Sequence, residues 1–286
     1  MSNEEQIAYW NGDAGRKWAE KDDMMSSVLR PIAEDLLHHA ELGGCRRVID
    51  VGCGGGSDTL LLADALDPSA EIMGVDISEP LLKVARARLA DMPRTEKRID
   101  FVKADAATYP FEKGWFDGLF SRFGVMFFDD PGAAFGNLHR ALQPASPIAF
   151  SCWQKLQQNP WVALPLAAAL RHVPPPERPD PEAPGPFAFA KPERVRGILR
   201  DAGFIDTRLK AHAVEMRWSA GQDLESAARE VVNIGPVGRL LADVDERARE
   251  AVHAACIEAL APYYRDQRLS LPGAVWLVTA RAGNRR

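Results

Sequence analysis

Cysteine is scarce in this chain of 286 residues, and no two of its four thiols form a C-x-x-C pair. Cys45, Cys53, Cys152 and Cys256 lie far apart, and no histidine cluster stands at ligand spacing beside them. Reduced, scattered thiols in a cytoplasmic protein with no metal are the simplest account of that pattern. Long apolar runs are missing too: none approaches the roughly 20 residues of a membrane span, so no membrane partner is expected. The first residues, Met1-Ser2-Asn3-Glu4-Glu5-Gln6, are polar and acidic, unlike a signal peptide. Positive charge is not in excess either: 35 Lys and Arg against 40 Asp and Glu leave a net charge of −5. Such a balance argues against a polyanion-binding surface, so no nucleic-acid partner is expected, and Arg281 to Arg286 read as a solvated tail. No internal repeat is visible. What remains is an ordinary globular composition, 46% hydrophobic and 26% charged, long enough for one large α/β domain or two small ones.

The informative stretch is Val48-Ile49-Asp50-Val51-Gly52-Cys53-Gly54-Gly55-Gly56. A buried strand, Arg47 to Val51, breaks into a glycine-rich turn, and the helix Asp58 to Ala63 follows. Glycine lets the backbone approach a ligand closely, and the helix start aims free N–H groups at it. A dinucleotide turn wants G-x-G-x-x-G, but the register here reads Gly52-x-Gly54-x-x-Ser57, without the third glycine. A nicotinamide dehydrogenase fails on that position. The pattern acid-x-Gly-x-Gly-x-Gly fits in full as Asp50, Gly52, Gly54 and Gly56.

That form resembles the first motif of the class I S-adenosylmethionine-dependent methyltransferases, and the downstream strand ends agree with it. A second strand, Glu71 to Val75, ends in Asp76, 20 residues beyond Gly56, where a carboxylate is placed to take both ribose hydroxyls of an adenosine. A third strand, Ile99 to Ala104, ends in Asp105-Ala106; the resemblance implies an adenine amino contact to the acid and a ring-nitrogen contact to the next N–H. Trp115 to Phe123 resembles the family's fourth strand and the active-site loop after it. The cofactor residues so implied are Asp50, Gly52, Cys53, Gly54, Asp76, Ile77, Asp105, Ala106, Ser121 and Trp18, with S-adenosylmethionine as cofactor and S-adenosylhomocysteine as product. Over 8–280 the chain resembles small-molecule methyltransferases of the ubiquinone/menaquinone-biosynthesis type. Asn233-Ile234-Gly235-Pro236-Val237-Gly238 points to a subfamily and not to a substrate.

The fold expected is α/β: a Rossmann-like sheet of seven strands, mostly parallel with the last antiparallel, and helices on both faces. Ser78 or Glu79 should cap a helix carrying Pro80, with Leu81, Val84, Ala85 and Leu89 as its buried stripe. A helix from Gly132 to Leu142 precedes a fifth strand, Ile148 to Trp153, across Gln143-Pro144-Ala145-Ser146-Pro147, where the family usually has Pro-Gly-Gly. A helical arm over 1–42 precedes a methyltransferase domain over 43–286. Inserts at about 154–190 and 222–265 are expected to cap the substrate. The first holds a helix near Trp161 to His172 and a loop with seven prolines between Pro174 and Pro186. The second lies between strands at about Phe204–Trp218 and Ala274–Arg281. Ligands bind outside the carboxyl ends of such strands, so arm and inserts should roof the cofactor there.

Methyl transfer from a sulfonium is an in-line displacement that asks chiefly for positioning and exclusion of water. Catalytic residues are therefore unassigned. His172 and His212 are the better-placed candidates for a base, while His38, His39, His139 and His253 read as packing or surface groups. The expected partner is a small methyl acceptor, partly apolar or aromatic, lined from among Trp10, Phe123, Met126, Trp153, Trp161, Phe187 and Phe189. A homodimer is admitted. The competing readings are a nucleic-acid or protein methyltransferase, disfavoured by charge and by Ser121-Arg122-Phe123-Gly124 where an Asn/Asp-Pro-Pro-aromatic run would stand, and a cofactor-binding protein that transfers nothing.

Overall fold

The computed structural model describes residues 3–92, 98–175, 180, 182–218, 222–241 and 244–284. Three helices open the chain: α1 (Asn3–Asn11), α2 (Asp13–Glu20) and α3 (Asp22–His39). There follow β1 (Arg47–Val51), α4 (Ser57–Ala65), β2 (Glu71–Asp76), α5 (Glu79–Ala90), β3 (Arg98–Lys103), β4 (Gly118–Arg122), α6 (Pro131–Ala141) and β5 (Pro147–Trp153). The rest are α7 (Pro160–Ala169), α8 (Pro192–Asp201), β6 (Phe204–Trp218), α9 (Leu224–Ile234), α10 (Pro236–Leu240), α11 (Glu246–Leu260), β7 (Tyr264–Arg265) and β8 (Arg268–Ala282).

One sheet runs in the order β3-β2-β1-β4-β5-β8-β6, with β7 paired to β8. β1 is parallel to β2 and β4, β2 to β3, and β4 to β5. β1 is a central strand, paired along both edges, and Val48 and Ile49 are fully buried on its faces. β8 runs against β5, since Ala145 and Ser146 bond to Ala282 at one end and Gln154 to Ala274 at the other. The seven expected strands are present, and the eighth is the two-residue β7. It turns into β8 through Asp266 and Gln267, both left-handed (φ 49° and 55°), a two-residue hairpin without the glycine that usually announces one.

By backbone contacts the chain forms two compact units. The first holds 1–153, 182–211 and 276–286; the second holds 154–181 and 212–275. In the first, α5 packs on β2 and β3, α4 on β2, and α3 on β4 and β5. In the second, α11 packs on α7 and α9 over Ala168, Ala169, Val232, Val252 and Cys256. Asn159 ties its base together, donating to the carbonyls of Gln154 and Lys155 while its Oδ1 accepts from Ala274 N at 2.9 Å.

Four local expectations are corrected. In α5 the buried residues are Leu81, Leu82 and Ala85; Leu82 replaces Val84 and Leu89, which are only half-buried. α8 was not anticipated, although Lys191-Pro192-Glu193 carries a proline at its first position and Val195 and Leu199 bury its inner face. β8 begins at Arg268, not Ala274. Arg281 is not tail: it ends β8, donating to Ala145 O at 3.1 Å and pairing with Glu41 at 2.5 Å. Of the proline-dense loop, 176–179 and 181 lie outside the described residues, as do 285 and 286.

Candidate functional site: the glycine turn after the first strand

β1 ends at Val51, and the chain turns at once through Gly52, Gly54 and Gly56, all left-handed (φ 71°, 53° and 80°). The turn is pinned to its neighbour strand, because the N–H groups of Gly52 and Cys53 both donate to Val75 O, at 2.8 and 3.1 Å. Gly56 then caps α4. Gly52 is required by space and by its backbone, Gly54 by its left-handed backbone alone. A Cβ at Gly52 would stand 2.6 Å from Gly124 Cα, so the turn and the loop after β4 meet backbone to backbone. A Cβ at Gly54 would meet nothing within 4 Å, so the turn has an open face.

Asp76, at the end of β2, stands directly across. Its Oδ2 accepts from Gly54 N and its Oδ1 from Ser78 N, each at 2.8 Å. Burial pushes its carboxyl above the usual range, and the N–H donors of Ser78 and Gly54 oppose that. A carboxylate has about four acceptor positions, so the N–H groups of Gly54, Ser78 and Ile77 do not exhaust those of Asp76. Asp105 follows β3, the strand paired with β2, and folds its Oδ1 back onto Ala107 N at 2.9 Å. Ala106 beside it is buried, and its carbonyl accepts from Asn137 at 2.9 Å.

Other expected site residues lie beneath the turn. Ser121 is fully buried in β4 and donates its hydroxyl to Val51 O at 2.7 Å, so that hydroxyl braces the end of β1. Asp50 is 1% exposed and accepts from Thr59 Oγ1 at 2.6 Å. Beside it Arg122 is paired with Asp58 at 2.5 Å. Burial, then the Asp58 charge, push the Asp50 carboxyl up to about 7, against the Thr59 hydroxyl and Arg122. Cys53 is buried, and burial raises its thiol well above its ordinary value, which keeps it uncharged and poorly nucleophilic at neutral pH.

The helical arm reaches this edge through Trp10 and Trp18, which the sequence marked, and through Asn11, Asp22 and Asp23, which it did not. Asn11 donates to Ile77 O at 2.9 Å and accepts from Glu79 N at 3.1 Å, while Ser78 Oγ donates to Trp10 O at 2.8 Å. Arg88 of α5 donates to Gly55 O at 2.5 Å and pairs with Asp22 and Asp23 at the start of α3, at 2.9 and 2.5 Å. Trp18 is half-buried, edge-on to Trp10 at 6.0 Å, and Trp10 is edge-on to Phe127 at 5.6 Å. The readable signal was the Asn11-Gly12 step between α1 and α2; nothing near Arg88 advertised its partners.

His39, His139 and His253, expected to be packing or surface groups, make such contacts. His39 bonds Asp35 O at 2.6 Å and Lys210 at 2.7 Å, and His139 packs edge-on to Phe204. His253 is buried in α11, with its pKa lowered by burial and by Arg229 and Arg249. His172 and His212 belong to the second unit. Phe189 is core, packed against Phe135 and Phe150, and does not line a pocket. A polar surface cavity of about 200 Å³ among His39, Asp206, Arg208 and Arg281, and an apolar one of about 370 Å³ among Leu37, Leu42 and Leu66, do not reach the turn. Among the described residues no group of three or more His, Cys, Asp or Glu is placed to hold a metal, and no helix is long and apolar enough to cross a membrane.

The sheet order, the glycine turn at the end of its central strand and the acid at the end of β2 define the class I methyltransferase fold. Residues 48–145 match the family described as "Methyltransferase domain". A demethylmenaquinone methyltransferase of Lactococcus lactis is 32% identical over 101 residues, 35% of this chain and 39% of its own length. One of Staphylococcus aureus is 27% identical over 175 residues, 58% of this chain and 70% of its own length. Among solved structures, a phosphoethanolamine N-methyltransferase 2 of Haemonchus contortus, in complex with phosphomonomethylethanolamine and S-adenosylhomocysteine, is similar with a TM-score of 0.59 at 15% identity, over 99% of this chain and 61% of that one. Residues 48–145 thus carry a methyltransferase domain, the fold is that of the class I S-adenosylmethionine-dependent methyltransferases, and the chain is similar to demethylmenaquinone methyltransferases. The aligned part spans well under half of the Lactococcus relative, so the relatives' acceptor does not transfer with the family.

Proposed function

We propose that this protein transfers a methyl group from S-adenosylmethionine to a small, partly apolar acceptor. The observation that carries the reading is Asp76, held by the N–H groups of Gly54 and Ser78 beside the open face of Gly54. In this reading Asp76 takes the two ribose hydroxyls, with charged hydrogen bonds. Gly52, Cys53 and Gly54 present backbone to the methionine end, and Ile77 and the Asp105-Ala106 step border the adenine. Asp50 and Ser121 act from below, holding the turn through Thr59 and Val51. Trp18 and the arm exclude water from the reacting centre.

Bound to the turn, Asp76 and the Asp105-Ala106 step, S-adenosylmethionine would supply an electrophilic methyl carbon on a sulfonium, with the neutral thioether as leaving group. The protein's share is alignment, which in favourable cases lowers a barrier by roughly 7–11 kcal/mol. The acid network of Asp50, Asp58 and Arg122 lies under the turn and serves as scaffold. The named activity of the menaquinone-pathway relatives supports a small-molecule acceptor over a nucleic acid, in line with the net charge of −5.

The test is calorimetry with S-adenosylhomocysteine and with NAD, followed by transfer of a labelled methyl group to a panel of small acceptors. Heat for S-adenosylhomocysteine alone is expected. Heat for NAD alone overturns the reading, and cofactor binding without transfer to any acceptor supports a binding protein instead.

A further inference from the structure

Among the described residues of α1, the buried position is held by Gln6, 1% exposed, while its neighbour Ile7 is 36% exposed. The helix thus turns an amide inward and an isoleucine outward. Among the described residues neither Nε2 nor Oε1 of Gln6 has a hydrogen-bond partner. Packing alone favours the reverse arrangement, because a buried amide that bonds to nothing loses its hydration without return. Such a group calls for a partner that the chain itself does not supply.

The docking of α1 says where that partner sits. Gln6 and Trp10 stand one turn apart on one face of the helix. The Trp10 ring is edge-on to Phe127 at 5.6 Å, and Phe127 closes the turn Val125–Phe127, directly after Gly124. Gly124 in turn meets Gly52 backbone to backbone. The face that carries Gln6 is therefore directed to the glycine-turn end of the site. Asn11, at the other end of the helix, is tied to Ile77 and Glu79 beside Asp76. An amide offers one acceptor oxygen and two N–H donors. The amino-acid end of S-adenosylhomocysteine has the matching set, an ammonium that donates and a carboxylate that accepts.

We propose that Gln6 is a binding residue for the amino-acid end of the cofactor, its Oε1 accepting from the ammonium and its Nε2 donating to the carboxylate. This rests on the methyltransferase reading of the same site and adds a named side chain of the arm to its recognition. The ligand-free protein then carries the cost of an unbonded amide, and the cofactor removes it on binding. Gln6 is thus kept for the complex at the expense of the free chain.

Two probes isolate that end: S-adenosylhomocysteine, and 5′-methylthioadenosine, which keeps the adenosine and the sulfur but lacks the amino acid. Each is titrated calorimetrically into the full-length parent and into Gln6→Met, which keeps the length of the side chain without its amide. Gln6→Met should weaken S-adenosylhomocysteine at least tenfold and leave methylthioadenosine within twofold of the parent. Without ligand it should melt no lower than the parent, because it deletes an amide that the free protein leaves unbonded. A residue that only packs the arm behaves otherwise, lowering the ligand-free midpoint and weakening both probes alike. Equal loss for the two probes, loss for neither, or a lower ligand-free midpoint overturns the proposal. Any of those results beside normal S-adenosylhomocysteine binding by the parent leaves the methyltransferase reading standing. Failure of the parent to bind S-adenosylhomocysteine removes that reading itself.

Discussion

Asp76 and Asp50 are both acids at strand ends beside one turn, yet their surroundings give them different work. Asp76 accepts two backbone N–H groups and faces the open side of Gly54. Charged hydrogen bonds of this kind contribute about 1.5–3 kcal/mol, so Asp76→Ala should weaken S-adenosylhomocysteine about tenfold or more, with Asp76→Asn intermediate. Unchanged calorimetric affinity in both variants would remove Asp76 from the site. Asp50 is sealed under the turn with its carboxyl pushed up to about 7. A folded-state pKa above the unfolded one means that the native protein binds the extra proton. Its penalty is therefore absent below pH 4 and grows until pH 7, and stability falls as pH rises through that window. Asp50→Asn should remove the penalty, gaining roughly 2 kcal/mol relative to the parent between pH 5 and pH 8 in urea unfolding without cofactor. A difference independent of pH would show that Asp50 titrates normally. Asp76 was legible in the sequence because an acid closing a second strand has a fixed place in this fold. The ion pair beside Asp50 was not, since Arg122 reaches Asp58 across 64 residues of chain.

At the scale of elements, alternation of apolar strands with capped helices made the first five strands readable, four of them to within a residue, while the fourth begins at Gly118 and not Trp115. It failed where the period carries less information. α5 buries Leu82 beside Leu81, a choice set by how the helix rolls on β2 and β3 and not by its sequence stripe. α8 hid behind the proline-dense segment, and β8 was cut short because Pro272 reads as a breaker, although it sits inside the strand. The helical arm was legible, but not its attachment. Asn11 bridges Ile77 O and Glu79 N and so joins the α1–α2 corner to the segment that follows Asp76. Asn11→Ala should loosen that corner, raising amide exchange over residues 3–21 and weakening S-adenosylhomocysteine several-fold, because binding favours the closed arm. Faster exchange at unaltered affinity would make the arm a packing element only.

For the molecule as a whole, a ligand that binds the native state stabilises it by mass action, whatever the details of its contacts. At a hundredfold excess over its dissociation constant the gain is about 2.7 kcal/mol. In a chain of this size each kcal/mol moves a melting midpoint by roughly 2–4 °C, so S-adenosylhomocysteine should raise the midpoint by about 5–11 °C. The residues that would make those contacts, Gly52, Gly54, Asp76 and Asp105, all lie in the first unit. The core of the second unit, built on α7, α9 and α11, includes none of them. If calorimetric melting resolves two transitions, only the one that loses the β1–β2 pairing should move, and tryptophan emission from Trp161 and Trp218 should report the other. NAD at the same concentration should move neither, because the turn lacks the third glycine that a dinucleotide requires and Ser57 stands in its place. A shift with NAD equal to that with S-adenosylhomocysteine would show that the turn recognises only a shared adenosine. The choice of sulfonium over nicotinamide would then rest on groups beyond the glycines.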